Sequence, residues 1–446
     1  MSALPKGWVE APLSEVCEMI TDGTHHSPSN GAVGEFKYVT AKNIRKHGLD
    51  LSNITYVDAA THREIYKRCP VKPGDVLYIK DGATTGLAIV NPLEEEFSML
   101  SSVALLRPEG ALLNAHFLRH QLNSRSLRER MTGDMTGSAI RRLTLTTIGR
   151  QEVVVPPLDE QNRIVAKLDV LNAKSARART ELARIATLVS RYKLAVLSQA
   201  FNRELTNGDS FTDWPTVKLE EIAEVGTGAT PKRGNAEYYS NGTIPWVTSG
   251  AVNEGLILQA DEFITVRAIQ ETNCKVFPAG TLVVAMYGEG KTRGKVAVLG
   301  LDAATNQALA AVRIRSSEVS APQYVFLFLQ SVYLTLRDEA AGGVQPNLNL
   351  SIVKAIELPL PPLEEQHEIV RRIESAFARI DRLAKEAQRA LELVARLDEA
   401  ILGKAFRGGL VPQDENDEPA EKLLERIRTE RDAEPKEKRR RSRKQA

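Results

Sequence analysis

Cysteine is scarce in this 446-residue chain, confined to Cys17, Cys69 and Cys274. Three scattered thiols make neither a disulfide framework nor a zinc site, so a reducing compartment is expected. Histidine is sparse too, seven in all, and its spacing fits no metal site. His25 and His26 are adjacent, which suits loop hydrogen bonding better than joint ligation. Long apolar runs are missing. Nothing reaches the roughly 18 residues a membrane helix needs, and the first residues lack the charged-then-apolar pattern of a secretory signal. The expectation is a soluble, cytoplasmic protein with no membrane partner. A charge excess is also missing: the formal net charge is +2. A free-standing nucleic-acid binder draws affinity from phosphate neutralisation and usually carries more. If nucleic acid is bound, basic residues must gather on one surface or partners must share the contacts.

Catalytic signatures are lacking as well, and no catalytic or metal-ligating residue is nominated. Gly290-Lys291-Thr292 resembles the end of a nucleotide-binding loop, but the glycine required five places before Gly290 is Ala285. A strand rather than a helix is expected to follow, which leaves no helix N-terminus for a phosphate. Asn91-Pro92-Leu93 matches an amino-methyltransferase tetrapeptide only in its first two residues, without the aromatic that would hold a base.

What is present is a repeat at an offset of about 205 residues. Pro156-Pro157-Leu158-Asp159-Glu160-Gln161 returns as Pro361-Pro362-Leu363-Glu364-Glu365-Gln366, and Trp8, Leu13 and Val16 return as Trp214, Leu219 and Ile222. Each Pro-Pro-Leu heads a predicted helix of about forty residues, with prolines at its start and carboxylates in its first turn. Apolar residues step by three and four through Leu168, Leu171, Leu182, Ile185, Val189, Tyr192 and Val196. The second copy continues the pattern through Ile373, Ile380, Leu383, Val394, Leu397 and Ile401. Sustained over several heptads with charged outer faces, this predicts a coiled coil. The order globe, helix, globe, helix lets the second helix return antiparallel along the first. At 1.5 Å per residue each helix is about 60 Å long, against roughly 34–36 Å for one turn of DNA.

The expected fold is α+β: two mixed globes joined by an antiparallel pair of long helices, with a pseudo-two-fold internal repeat. The boundaries are 1–155 for the first globe, 156–206 for the first helix, 207–360 for the second globe and 361–411 for the second helix. Residues 412–446 form an acidic linker, a short amphipathic helix around Leu423, Leu424 and Ile427, and a basic tail. That helix is expected to dock on the first globe or on a partner. Each globe carries a strand–loop–strand segment, Val76–Lys80 with Leu87–Val90 and Thr281–Met286 with Lys295–Leu299.

Polar, glycine-containing segments between apolar runs are the candidate ligand-reading loops, because Arg and Lys donate to guanine edges or phosphates and Asn and Gln pair with adenine. In the first globe they supply Thr24, His25, His26, Lys42, Asn43, Arg45, Lys80, Thr84, Thr85, Ser138, Arg141 and Arg142. In the second they supply Thr230, Lys232, Arg233, Thr248, Ser249, Tyr287, Lys291, Arg293, Gln345 and Asn347. The repeated scaffolds agree better than the loops, so the two globes should read different things.

The doubled Pro-Pro-Leu-x-Glu-Gln, Ala405-Phe406-Arg407-Gly408-Gly409-Leu410 with the acidic stretch after it, and Asp22-Gly23-Thr24-His25 resemble specificity subunits of Type I restriction–modification enzymes. The resemblance implies a target recognition domain in each globe, each reading half of a split double-stranded DNA site. It implies as partners two modification (methyltransferase) subunits docked on the helices, and restriction subunits with translocase and nuclease activity. It places S-adenosylmethionine, ATP and Mg in those partners, with no cofactor in this chain. The competing expectations are a coiled-coil adaptor that binds protein and a nucleotide hydrolase built on Lys291.

Overall fold

A computed structural model describes residues 4–133, 142–202, 214–287, 294–339 and 348–433. The chain divides into two compact units, Met1–Glu181 with Ala390–Ala446, and Leu182–Arg389. Both divisions cut through the long helices, so each unit holds one globe with part of each helix.

In the first unit Val9–Pro12 pairs antiparallel with Glu152–Val155, bringing the start of the globe to the foot of the first long helix. The main sheet is antiparallel, in the order Cys17–Asp22, Val103–Pro108, Val76–Ile79, Ala88–Val90. Beside it lies a three-stranded sheet of Thr55–Val57, Phe36–Val39 and Ser98–Met99. Side chains alternate across a strand, and here both faces are buried. Val76, Tyr78, Ala104 and Leu106 face one core, and Leu77, Ile79, Val103 and Leu105 face the other. That explains why these strands read as continuous apolar runs. Asn91, the residue of the partial methyltransferase tetrapeptide, is buried and donates its amide to Lys72 O at 2.9 Å.

The second unit repeats the plan. Thr216–Lys218 pairs with Glu357–Pro359. The main sheet runs Ala223–Thr227, Leu309–Ile314, Leu282–Ala285, Val296–Leu299, Leu256–Ile257, and the smaller one Glu262–Ile264, Ile244–Val247, Ala303–Thr305, Val276–Phe277. The central strands again divide between two cores, with Leu282, Val284, Ala310 and Val312 on one side and Val283, Ala285 and Leu309 on the other.

The long helices span Leu158–Phe201 and Leu363–Ala405. In the first unit Ile164 and Leu168, near the start of one, share a core with Ala405 at the end of the other, and Arg179 pairs with Asp398. In the second unit Leu197 and Ala200 share a core with Ile369 and Ile373, and Lys193 lies 2.7 Å from Asp381. Within each unit the helices therefore run antiparallel, as the order of globes and helices led one to expect. Three seam positions need correction. Tyr192, Leu383 and Leu397 are 60%, 59% and 55% exposed. Two helices alone bury only a narrow stripe, and the flanking positions stay wet wherever no globe lies over them. Leu168 and Ile373 are fully buried. Leu171, Leu182, Ile185, Val189, Val196, Ile380, Val394 and Ile401 are half-buried.

The Glu-Gln of each repeat fixes its globe to its helix. Gln161 donates to Leu112 O and Pro156 O, both at 2.8 Å, and accepts from Asn114 N at 2.8 Å. Gln366 donates to Val319 O at 3.1 Å and Pro361 O at 2.8 Å, and accepts from Ala321 N at 2.9 Å. Neither side chain has any solvent exposure. The preceding carboxylates take the indole N–H of the repeated tryptophans, Trp8 to Glu160 at 2.9 Å and Trp214 to Glu365 at 3.1 Å.

The amphipathic segment of the tail is the helix Ala420–Ala433, and it docks on the first globe. Ala420, Leu423, Leu424 and Ile427 enter the core that holds Trp8 and Leu13. Arg431 reaches Glu109 at 3.2 Å, and Asp417 receives Arg163 at 2.6 Å. The basic end of the tail lies outside the described residues. Among the described residues no helix is long and apolar enough to cross a membrane.

Two predictions follow from these joints. Gln161→Ala and Gln366→Ala each strand buried backbone groups and should cost on the order of 2–4 kcal/mol, read as a lowered urea midpoint. The second concerns His120, packed in the first unit between Arg119 and Asp169, with its Nε2 3.6 Å from the Asp169 carboxylate. Burial first, and then the Arg119 cation, push its pKa from 6.5 down to about 4. Between those values the unfolded chain takes up a proton that the folded chain refuses, so stability is complete above pH 6.5 and falls as pH drops toward 4. His120→Gln should flatten that part of the stability–pH curve by on the order of 2 kcal/mol, measured by urea unfolding at pH 7 and pH 4.5.

Candidate nucleic-acid interface

The strands of the first unit send their polar loops to one end of the two sheets. Cys17–Asp22 leaves into Gly23-Thr24-His25-His26, Val76–Ile79 into Lys80-Asp81, and Phe36–Val39 into Thr40–Arg45. Backbone hydrogen bonds knit the loops together: Thr24 N to Met99 O at 2.9 Å, Ser101 N to Thr24 O at 2.8 Å, Lys80 N to Ser102 O at 3.0 Å and Leu143 N to Lys80 O at 3.1 Å. Arg142 forms a β-bridge with Asp81. Gly23 makes the closest approach. A Cβ there would sit 1.8 Å from Met99 O, so only glycine lets the two sheets touch at this point.

Within this end Asp22 is buried, and its carboxylate gathers basic groups. Oδ1 accepts from Arg68 Nη2 at 2.8 Å and lies 3.1 Å from His25 Nε2. Oδ2 lies 3.4 Å from Lys80 Nζ, which is equally far from Asp81 Oδ2.

The second unit builds its loop end the same way around different side chains. A Cβ at Gly228 would sit 1.8 Å from Thr305 O, the counterpart of the Gly23 contact. Met286 N donates to Ala308 O at 2.8 Å, and Asn306 N to Val247 O at 3.0 Å. Thr230 hydrogen-bonds the side chain of Gln307. Arg233 pairs with Glu262 through both terminal nitrogens, and its guanidinium lies 4.9 Å from the Trp246 ring centre and 5.2 Å from that of Tyr239. The Arg233 hydrogen bond holds the Glu262 carboxyl below its usual range. Nearby, Lys295 Nζ donates to Asn253 Oδ1 at 2.7 Å.

Of the sequence-predicted contacts, His25, His26, Lys42, Arg45, Thr84 and Arg142 are exposed, as are Thr230, Lys232, Arg233 and Tyr287; Thr248 and Ser249 are half-buried. Four others are corrected to internal roles. Asn43 is buried, accepting from Thr40 N at 2.9 Å and donating to Asp50 O at 3.2 Å. Thr24 spends its hydroxyl on His26, and Thr85 spends its own on Gly82 O at 2.7 Å. Lys80 is buried between two aspartates. Each satisfies a polar group that burial would otherwise penalise. Ser138, Arg141, Lys291, Arg293, Gln345 and Asn347 lie outside the described residues. Arg68 and Gln307 escape a loop search, Arg68 because it ends a helix and Gln307 because its turn contains no glycine. Among the described residues no cluster of His, Cys, Asp or Glu could hold a metal, and burial pushes the Cys17 thiol up to about 12.

The two loop ends have their counterpart in a comparison with known families. The model for the Type I restriction modification DNA specificity domain matches residues 5–186 and again residues 212–393. The chain belongs to that family. As a specificity-family chain it is 27% identical to the EcoKI specificity subunit of Escherichia coli K12, covering 96% of this chain and 97% of that one. It is 25% identical to the StySPI specificity subunit of Salmonella potsdam, with 96% of each covered. In fold it resembles the HsdS subunit of Thermoanaerobacter tengcongensis, with a TM-score of 0.60 at 21% identity over 91% of this chain and 98% of that one. It also resembles a chain from a study of assembly and conformational transition in the type I R-M system. There the TM-score is 0.70 at 21% identity, over 92% of this chain and all of the other.

The glycine contacts make a direct test of this loop end. Gly23→Ala and Gly228→Ala should each destabilise this specificity chain by about 2–3 kcal/mol. Gly110→Ala, where nothing lies within 4 Å of the new carbon, should leave the thermal midpoint unchanged.

Proposed function

We propose that the loop end of each unit reads one half of a split, asymmetric DNA sequence. The paired helices serve as spacer and as docking surface for two modification subunits, and restriction subunits join that assembly. The observation that carries this proposal is duplication of the scaffold without duplication of the loops. The buried glutamines, the Trp–Glu bonds and the glycine contacts recur at matching positions. The loop side chains do not: a buried aspartate with basic neighbours in one unit, an arginine on aromatic rings beside a threonine–glutamine pair in the other. Two like scaffolds that present unlike donors and acceptors suit two unlike half-sites.

In this proposal the chain contributes recognition and no catalytic group, and it works in the cytoplasm. Adenine methylation with S-adenosylmethionine and ATP- and Mg-dependent translocation belong to the partners. A net charge of only +2 is then no obstacle, because partner subunits share the phosphate contacts.

Mapping methylated adenines in cells that express this chain with its modification subunit should yield one motif of two defined halves. The double substitution Thr230→Ala with Gln307→Ala should relax one half and leave the other as it was. A motif without two parts, or equal change in both halves, would overturn the proposal.

A further inference from the structure

Asp22 is an expensive residue to keep. It is 1% exposed at the loop end of the first unit, and a buried carboxylate is strongly disfavoured unless charge and hydrogen bonds compensate. Its compensation is uneven. Lys80 is buried with it, with a side chain 8% exposed, and also neighbours Asp81. Arg68 and His25 are instead 42% and 59% exposed. The carboxylate therefore holds the half-open Arg68 by its inner edge, with the imidazole of His25 against both.

Arg68 Nη2 lies 2.8 Å from Asp22 Oδ1 and 3.0 Å from His25 Nε2. A guanidinium only donates and a carboxylate only accepts, so Nε2, 3.1 Å from Asp22 Oδ1, hydrogen-bonds one of the two and abuts the other. Arg68 uses one nitrogen for both contacts, and among the described contacts its other N–H groups are not spent on Asp22. The geometry points to Asp22 as a positioning residue that holds the Arg68 fork, with the His25 ring set beside it, ready for hydrogen-bond acceptors of DNA; this role rests on the proposed half-site function of this unit and makes the pair its recognition element. The acceptors are base edges such as guanine N7 and O6, or phosphate oxygens; both classes present what an outward N–H requires.

The test uses the full chain assembled with its modification subunits and duplexes altered in one half-site at a time. Arg68→Met and His25→Phe should each weaken binding of the cognate duplex about 10-fold at an unchanged unfolding midpoint, while His25→Gln, which keeps an N–H, retains most of it. Asp22→Asn should match Arg68→Met, because the charge rather than the bulk holds the fork. Base contact shows as lost discrimination in one half only; phosphate contact shows as a uniform loss with the salt slope reduced by about one. Wild-type binding and discrimination by Arg68→Met and His25→Phe would overturn the role given to Asp22, as would a loss in both halves that tracks a lowered unfolding midpoint. A wild-type complex indifferent to alteration of either half-site would instead sink the half-site function itself.

Discussion

A side-chain amide with no solvent exposure stands at the head of each long helix, and the rest of the architecture depends on it. Gln161 and Gln366 each bridge three backbone groups, two in the globe or its connection and one just before the helix. An amide offers donors and an acceptor together, and no other side chain of that length satisfies N–H and C=O groups at once. The consequence is a defined angle between helix and globe without a hinge. The adjoining Trp–Glu bond adds a second tie, from the first strand of the globe to the first turn of the same helix. A reader that must present loops in a fixed direction needs such a joint, because freedom there would be paid back in binding entropy.

With the joint fixed, the loops inherit their place from the sheets. Gly23 and Gly228 press the main sheet against a carbonyl of the smaller one, so each loop end begins from the same closed corner. Beyond the corner the chemistry separates. The first unit orders its donors by burying a carboxylate among them. The second orders Arg233 by stacking it on Trp246 and Tyr239 and pairing it with Glu262. Both devices remove rotamer freedom from a long basic side chain before any ligand arrives, one electrostatically and one through ring contact.

The repeat made the architecture legible, because the same motif heading two helices constrains topology more than any propensity does. The strands were legible where both faces are buried, since an apolar run bounded by turns leaves little else. The loop residues were harder. Lys80 and Asn43 look like solvated polar residues until their partners are known, and one of the two aspartates beside Lys80, Asp22, is far from it in the sequence. Arg68 was invisible for the converse reason, as the last residue of an amphipathic helix whose exposed end happens to meet Asp22. Tyr192, Leu383 and Leu397 keep the heptad spacing yet stay exposed. Periodicity marks a face, not how many neighbours cover it.

Charge poses the last physical question, since a chain of net charge +2 devotes two aspartates to the loop end of its first unit. For bulk attraction to a polyanion that is a loss, as Asp22 and Asp81 offset Arg68 and Lys80 in the local sum. For discrimination it is a gain. An unpaired surface arginine samples many rotamers and meets any acceptor, whereas one tethered through Nη2 is restricted in direction, so its fit to an acceptor is geometric. Neutral, ordered donors give weak attraction everywhere and strong attraction only where acceptors coincide. That is the balance expected of a subunit whose task is choice of site.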